Sequence, residues 1–285
     1  MSTGDLGTSL GVVIPVHDVN PLRRTPIITI ALVVANFVVF LLALAPQSGH
    51  TDAGRLCRQA AFYDHYAAIP REMIDNRPLR RVPTGEVRAV SSNAVACETG
   101  RPGYHKIPAL SVLTAMFLHG GWLHLLGNML FLWIFGNNVE DRFGRLRYLL
   151  FYLVCGYVAA YGFALADPTS TTPLIGASGA IAGVLGAYIV LFPRARVWSL
   201  VPVLFFIPLR LPAWFVLGLW FVLQWAYSAG HAVSNAGNVA YLAHVFGFVT
   251  GVVVALLMRA VQRPTDTWDP WGGRRPPPGY PRRWR

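Results

Sequence analysis

Five stretches of this chain run without a charged side chain, at 27–45, 148–166, 174–192, 213–229 and 239–258. Each comes close to the roughly 20 apolar residues that a membrane-spanning helix needs. No soluble core requires several such runs in series. A sixth stretch, 122–135, is shorter and carries His124 and Asn128. The expected architecture is an all-α polytopic membrane protein with six transmembrane helices. Charged residues make up 13% of the chain, against about a quarter in soluble domains. The net charge of +11 reads as basic residues flanking the spans rather than as a nucleic-acid surface.

The organisation follows from these runs. Residues 1–25 form a polar N-terminal tail, expected to be disordered and cytoplasmic. It has no apolar core of the signal-peptide kind, so the first span is expected to act as an uncleaved anchor. The membrane domain is 26–258. Between its first two spans lies a polar, Arg-rich insertion, 46–107, holding Cys57 and Cys97. The two pair if that insertion faces an oxidising compartment. Asn137 to Gly144 reads as a turn, and the Pro-broken stretch Trp198 to Arg210 as interfacial. A Gly/Ser/Asn loop with His231 precedes the last span, and 259–285 is a Pro/Arg-rich tail expected to be disordered.

Arginines lie before span one, after spans two, four and six, and not in the loops after spans three and five. The positive-inside rule then puts both termini in the cytoplasm, and a cell membrane is the expected location. Spans two, four and six all begin at the outer face. His124, Ser178 and His244 lie near those beginnings and so share one depth.

Small residues recur every fourth position on span four (Gly179, Gly183, Ala187) and on span six (Ala243, Gly247, Gly251, Ala255). Such stripes let membrane helices approach closely. Ser178 borders one stripe and His244 the other, so packing the stripes brings the pair together. An imidazole within about 3 Å of a hydroxyl can take its proton and make it a nucleophile. Neither span carries Asp or Glu, so the pair is expected to be a dyad. His124 and Asn128, four apart on one helix face, supply the donors of an oxyanion hole beside the Ser178 backbone N–H. The plain alternative is that Ser178 and His244 are packing residues at helix interfaces. A zinc site has no carboxylate or HExxH pattern behind it.

Four motifs occur in order: His124-x-x-x-Asn128, Glu140-Asp141-Arg142-Phe143-Gly144, Gly176-x-Ser178-Gly179 and Ala243-His244-x-x-Gly247-x-x-x-Gly251. In them the chain resembles the rhomboid family of intramembrane serine proteases, from about Leu118 to Met258. The resemblance implies Ser178 as nucleophile and His244 as base. It implies His124, Asn128 and the Ser178 backbone as oxyanion hole, with Gly176 and Gly179 shaping the substrate site. It implies no cofactor or metal, substrates that are membrane proteins cut in or near a spanning helix, and a small residue before the cut. Two departures stand out. The insertion is long, and Ala182 stands where some relatives carry an aromatic that stacks on the histidine, so other neighbours are expected to hold His244. A client-binding protein of the same fold would need neither Ser178 nor His244. A transporter would show internal repeats and a midplane site, which this chain lacks.

Overall fold

A computed structural model describes residues 14–20, 22–48, 51–91, 94–201, 207–234 and 241–261. Most of them are helical. Among the described residues, three helices are long and apolar enough to cross a membrane: α1 (Ile27–Leu44), α7 (Arg145–Ala166) and α10 (Tyr241–Val261). Between them stand shorter helical pieces. After α1 come α2 (Asp52–Tyr66), α3 (Pro70–Asp75), the hairpin β2 (Val82–Ser91) and β3 (Ala94–Gly100), and α4 (Pro108–Ala115). Then α5 (Trp122–Phe131) runs through a π turn (Leu132–Gly136) into α6 (Asn137–Phe143). On the far side of α7, α8 (Ser178–Leu191) and α9 (Ala213–Ser234) flank strands β4 (Arg196–Val201) and β5 (Ile207–Pro212).

The expectation of an all-helical chain holds for the membrane part only. Residues 14–18, placed in a disordered tail by composition, form strand β1 (Ile14–Asp18). It pairs antiparallel with β4, which pairs with β5, giving the order β1-β4-β5. The stretch read as interfacial therefore supplies two strands. Pro208 and Pro212 lie in the edge strand β5, where a missing N–H costs least. The tail at 262–285 and residues 1–13 lie outside the described residues.

Asn137 to Gly144 is not a turn but the end of a helix that began at Trp122. Its Glu140 caps another helix. The Glu140 carboxylate accepts from the N–H groups of Ile28 (2.9 Å) and Thr29 (2.7 Å) and from the Thr29 hydroxyl (2.8 Å). These are orphan donors in the first turn of α1, where the helix dipole also favours an anion. The chain then turns at Gly144, whose φ of 82° suits glycine.

The fourth apolar run also differs from expectation. Helix begins at Ser178, not Leu174, leaving 14 residues in α8, about 21 Å long. That falls short of the roughly 30 Å hydrocarbon core. The fifth helix runs past Ser228 to Ser234, taking His231 into its last turns.

The insertion is folded. Cys57 and Cys97 are bonded, tying α2 to the β2–β3 hairpin. A buried ion pair, Lys106 to Glu72 at 2.6 Å, and a Tyr104 hydroxyl bond to Asp64 at 2.7 Å close the unit. Its apolar side, Ala68 and Met73, packs with Val112 and Ala115 of α4 on Ala160 and Ala164 of α7.

Candidate active site

The site begins with the loop that leads into α8. Leu174 exchanges both backbone hydrogen bonds with Ala68 of the insertion (2.7 and 3.3 Å), and the Gly176 N–H donates to the Ala115 carbonyl at 2.9 Å. Loop backbone shielded from water needs partners within the protein, and these bonds supply them. Gly176 has φ of 114°. A Cβ there would also stand 2.8 Å from His124 Nε2. Conformation and space both require glycine at this position. Two residues on, Ser178 opens α8, with its N–H among the unpaired donors of a helix start.

Helix α10 meets α8 through glycine. A Cβ on Gly247 would strike the Gly179 carbonyl, and one on Gly251 the Gly183 carbonyl. The expected stripes therefore pack, joined by Gly186 against Phe248 and Val252. This close seam sets the register that brings His244 Nε2 to 2.8 Å from Ser178 Oγ.

The other imidazole nitrogen has a partner that the sequence reading missed. His244 Nδ1 lies 2.7 Å from the amide oxygen of Gln224 on α9. An amide oxygen only accepts, so Nδ1 carries the proton and Nε2 presents its lone pair to the serine. No carboxylate is needed to fix the tautomer. Trp220, one turn before Gln224, lies with its ring 5.9 Å from the imidazole, and Tyr241 meets it edge-on at 6.4 Å. With alanine at 182, α9 and the start of α10 hold His244. The available signal was a lone amide four residues after a tryptophan in an otherwise apolar run; polar groups there usually face the bundle interior.

His124 and Asn128 project from α5 into the same space. The Gly120 N–H donates to His124 Nδ1 at 3.4 Å. His124 Nε2 then carries the hydrogen, directed toward Gly176. Asn128 Nδ2 is buried with no hydrogen-bond partner among the described residues. An orphaned buried donor is costly, and here it lies against the position a Cβ on Gly176 would take, at 3.7 Å. His119 stacks edge-on with His124 at 5.0 Å and bonds the Phe117 carbonyl at 3.3 Å. Its Nε2 is buried with no hydrogen-bond partner among the described residues.

The reactive groups line one cavity of about 860 Å³. Ser178, His244, Gln224, His124, Asn128 and Gly176 face it, together with Gly179. Gly179 has a second constraint: its Cβ would meet Ala159 of α7 at 2.7 Å. The arrangement offers a polarised hydroxyl, an acceptor for its proton, and donors converging beside it.

A Rhomboid domain model matches residues 108–261. Among curated relatives, "Rhomboid protein 1, mitochondrial" of Saccharomyces cerevisiae is 30% identical over 159 residues, covering 54% of this chain and 43% of the relative. "Rhomboid-like protein 11, chloroplastic" of Arabidopsis thaliana is 32% identical over 166 residues, covering 54% and 55%. "Rhomboid protease GluP" of Bacillus subtilis is 43% identical over a shorter 76 residues, 27% of this chain and 14% of the relative. The chain spans about half the length of these relatives, or less. The matched region contains Ser178, His244, His124 and Asn128 and every helix that carries them. The chain belongs to the rhomboid family.

Proposed function

We propose that this protein is a serine endopeptidase that cleaves membrane proteins in or near a spanning helix. The observation that carries the reading is the 2.8 Å contact from His244 Nε2 to Ser178 Oγ at the wall of a cavity. Ser178 Oγ attacks the scissile carbonyl as its proton passes to His244 Nε2. The Nδ1–H bond to Gln224 holds the ring in the required tautomer and stabilises the imidazolium that forms. The developing oxyanion is met by the Ser178 N–H, Asn128 Nδ2 and the Nε2–H of His124. Collapse of the tetrahedral species breaks the C–N bond, and His244 returns the proton to the leaving amine. Water entering the cavity then hydrolyses the acyl-enzyme by the same route. No metal or cofactor takes part.

The membrane arrangement belongs to the same proposal: six crossings, both termini cytoplasmic, and the cavity open toward the outer face. The arginine distribution supports it, as does a disulfide in the insertion, since such bonds persist in oxidising compartments. A cell membrane is the location proposed.

Fluorophosphonate labelling tests the reading. An activated serine reacts and a packing serine does not. The reagent is expected to attach at Ser178, to fail in His244→Ala, and to reach the site from one side of sealed vesicles only. A folded protein that gives no Ser178 adduct by mass spectrometry would instead be a client-binding member of the family.

A further inference from the structure

We propose that an arginine-lined groove in the insertion is a docking site for an acidic segment next to the substrate's spanning helix. The inference rests on the protease reading for its choice of partner, not for the existence of the groove.

The groove has a volume of about 1150 Å³ and lies between α2, the turn after α3 and the loop after α7. Arg71, Arg77, Arg80 and Arg81 line it, opposed by Asp64 and Asp75. The two carboxylates are already engaged. Asp75 lies 3.7 Å from Arg71, and Asp64, which is buried, accepts from Tyr104. Arg77, Arg80 and Arg81 form no ion pair among the described residues. Four arginines against two carboxylates leave the lining with a net positive charge.

The turn that carries these arginines is held from below. Glu72 is 1% exposed. Its carboxylate accepts from the Leu79 N–H at 2.8 Å and pairs with Lys106, while its carbonyl accepts from the Arg77 N–H at 3.2 Å. Burying an ion pair is costly unless its geometry is used. Here it fixes the backbone between Arg77 and Arg81. Charges held on a fixed turn lose less entropy on binding than charges on a free loop.

Position selects the partner. Pro173 lines both this groove and the cavity of Ser178. The Arg71 N–H donates to the Ser170 carbonyl at 3.0 Å, and Ala68 pairs with Leu174. The groove wall and the loop leading to Ser178 are thus one hydrogen-bonded unit. A polypeptide leaving the cavity past Pro173 enters the groove directly. A lipid headgroup has no need of that shared wall. The charge also runs against the tendency of basic residues to stay on the inner side, which a binding role explains.

The test uses two single-span substrates identical except for the outer flank, one carrying a run of Asp and Glu and the other their amides. With wild-type protein at low salt, KM for the acidic flank is expected to be about fivefold lower, from a few exposed charge pairs. The gap should close at high salt and in the triple variant R77Q/R80Q/R81Q. The corresponding Lys variant should keep most of it, and kcat on the neutral substrate should not change. Binding of the same substrates to Ser178→Ala, read by fluorescence anisotropy, should show the same preference without catalysis. Discrimination by Ser178→Ala with no cleavage by wild type would sink the protease and leave the groove standing. Equal KM and equal binding for both flanks, or a preference that survives the triple Gln variant, would overturn the proposal. So would an effect that follows anionic lipid content and ignores the flank.

Discussion

The two ends of α8 are built in opposite ways. At its start, Ser178 borders a cavity, and nearby donors such as Asn128 Nδ2 have no partner within the described residues. At its other end, Tyr188 is fully buried, its ring edge-on to Phe135 at 4.9 Å, and its hydroxyl donates to Asp18 at 2.8 Å. Asn138 Nδ2 donates to the same carboxylate at 2.7 Å. One end leaves polar groups ready for a ligand, and the other spends nearly all of them on the protein itself. The sealed end and the glycine seam hold the helix so that the open end keeps its geometry without being filled.

The largest expected effect comes from the open end. Removing the Asn128 amide with Asn128→Ala should cut cleavage by about 10²–10³, some 3–4 kcal/mol of transition-state stabilisation. Thermal stability should stay level or rise, because a buried orphan donor disappears. A stability loss equal to the activity loss would show Asn128 to be a packing residue.

Next is the seam. Gly251→Leu places a side chain against the backbone of Gly183, which cannot move aside as a flexible side chain would. A destabilisation near the upper end of about 1–3 kcal/mol is expected, with activity falling alongside it. A thermal melt in detergent that matches wild type would mean that the helices are not held there.

The sealed end gives a pH dependence. Burial pushes the Asp18 carboxyl up to about 6, against hydrogen bonds from Tyr188 and Asn138 that pull it down. Its folded-state pKa lies above the ordinary carboxylate value. Docking of β1 is therefore favoured where the group is protonated and weakens as pH rises through about 6, by of order 2 kcal/mol. Amide exchange over Ile14–Asp18, corrected for intrinsic rate, should quicken between pH 5 and 7.5. Asp18→Asn should remove that difference. An unchanged profile in the variant would assign the effect to another group.

The smallest effect concerns Gln224. Gln224→Leu should lower kcat about tenfold, or 1.4 kcal/mol, by releasing the His244 tautomer. Gln224→Glu restores an acceptor and should recover activity, with an altered pH–rate profile. Equal loss in Leu and Glu variants would reduce Gln224 to a filler of space.

The parts legible in the sequence were those with one dominant pattern. The apolar runs marked α1, α7 and α10, and the spacing of four in Gly247 and Gly251 marked the seam. The misreadings share a cause: residues that serve a distant partner look local in sequence. Leu174 and Ile175 are apolar because they pack in a loop, so they read as helix. Asn137 and Asn138 look like turn formers, but Asn138 bonds Asp18 across 120 positions. Ile14–Asp18 has no pattern of its own beyond what β4 supplies. Gln224 stands out only once the fold places His244 beside it.

The π turn at Leu132–Gly136 sets a phase. Asn128 and Glu140 are twelve residues apart, which on a regular α-helix would leave them about 120° out of alignment. A π turn takes up one extra residue, so the pair behaves as if eleven apart and falls within about 20° of one meridian. One rod thereby directs a donor into the cavity at its upper end and a carboxylate onto the first turn of α1 at its lower end. Without that wide turn, the rod would have to choose which end faces inward.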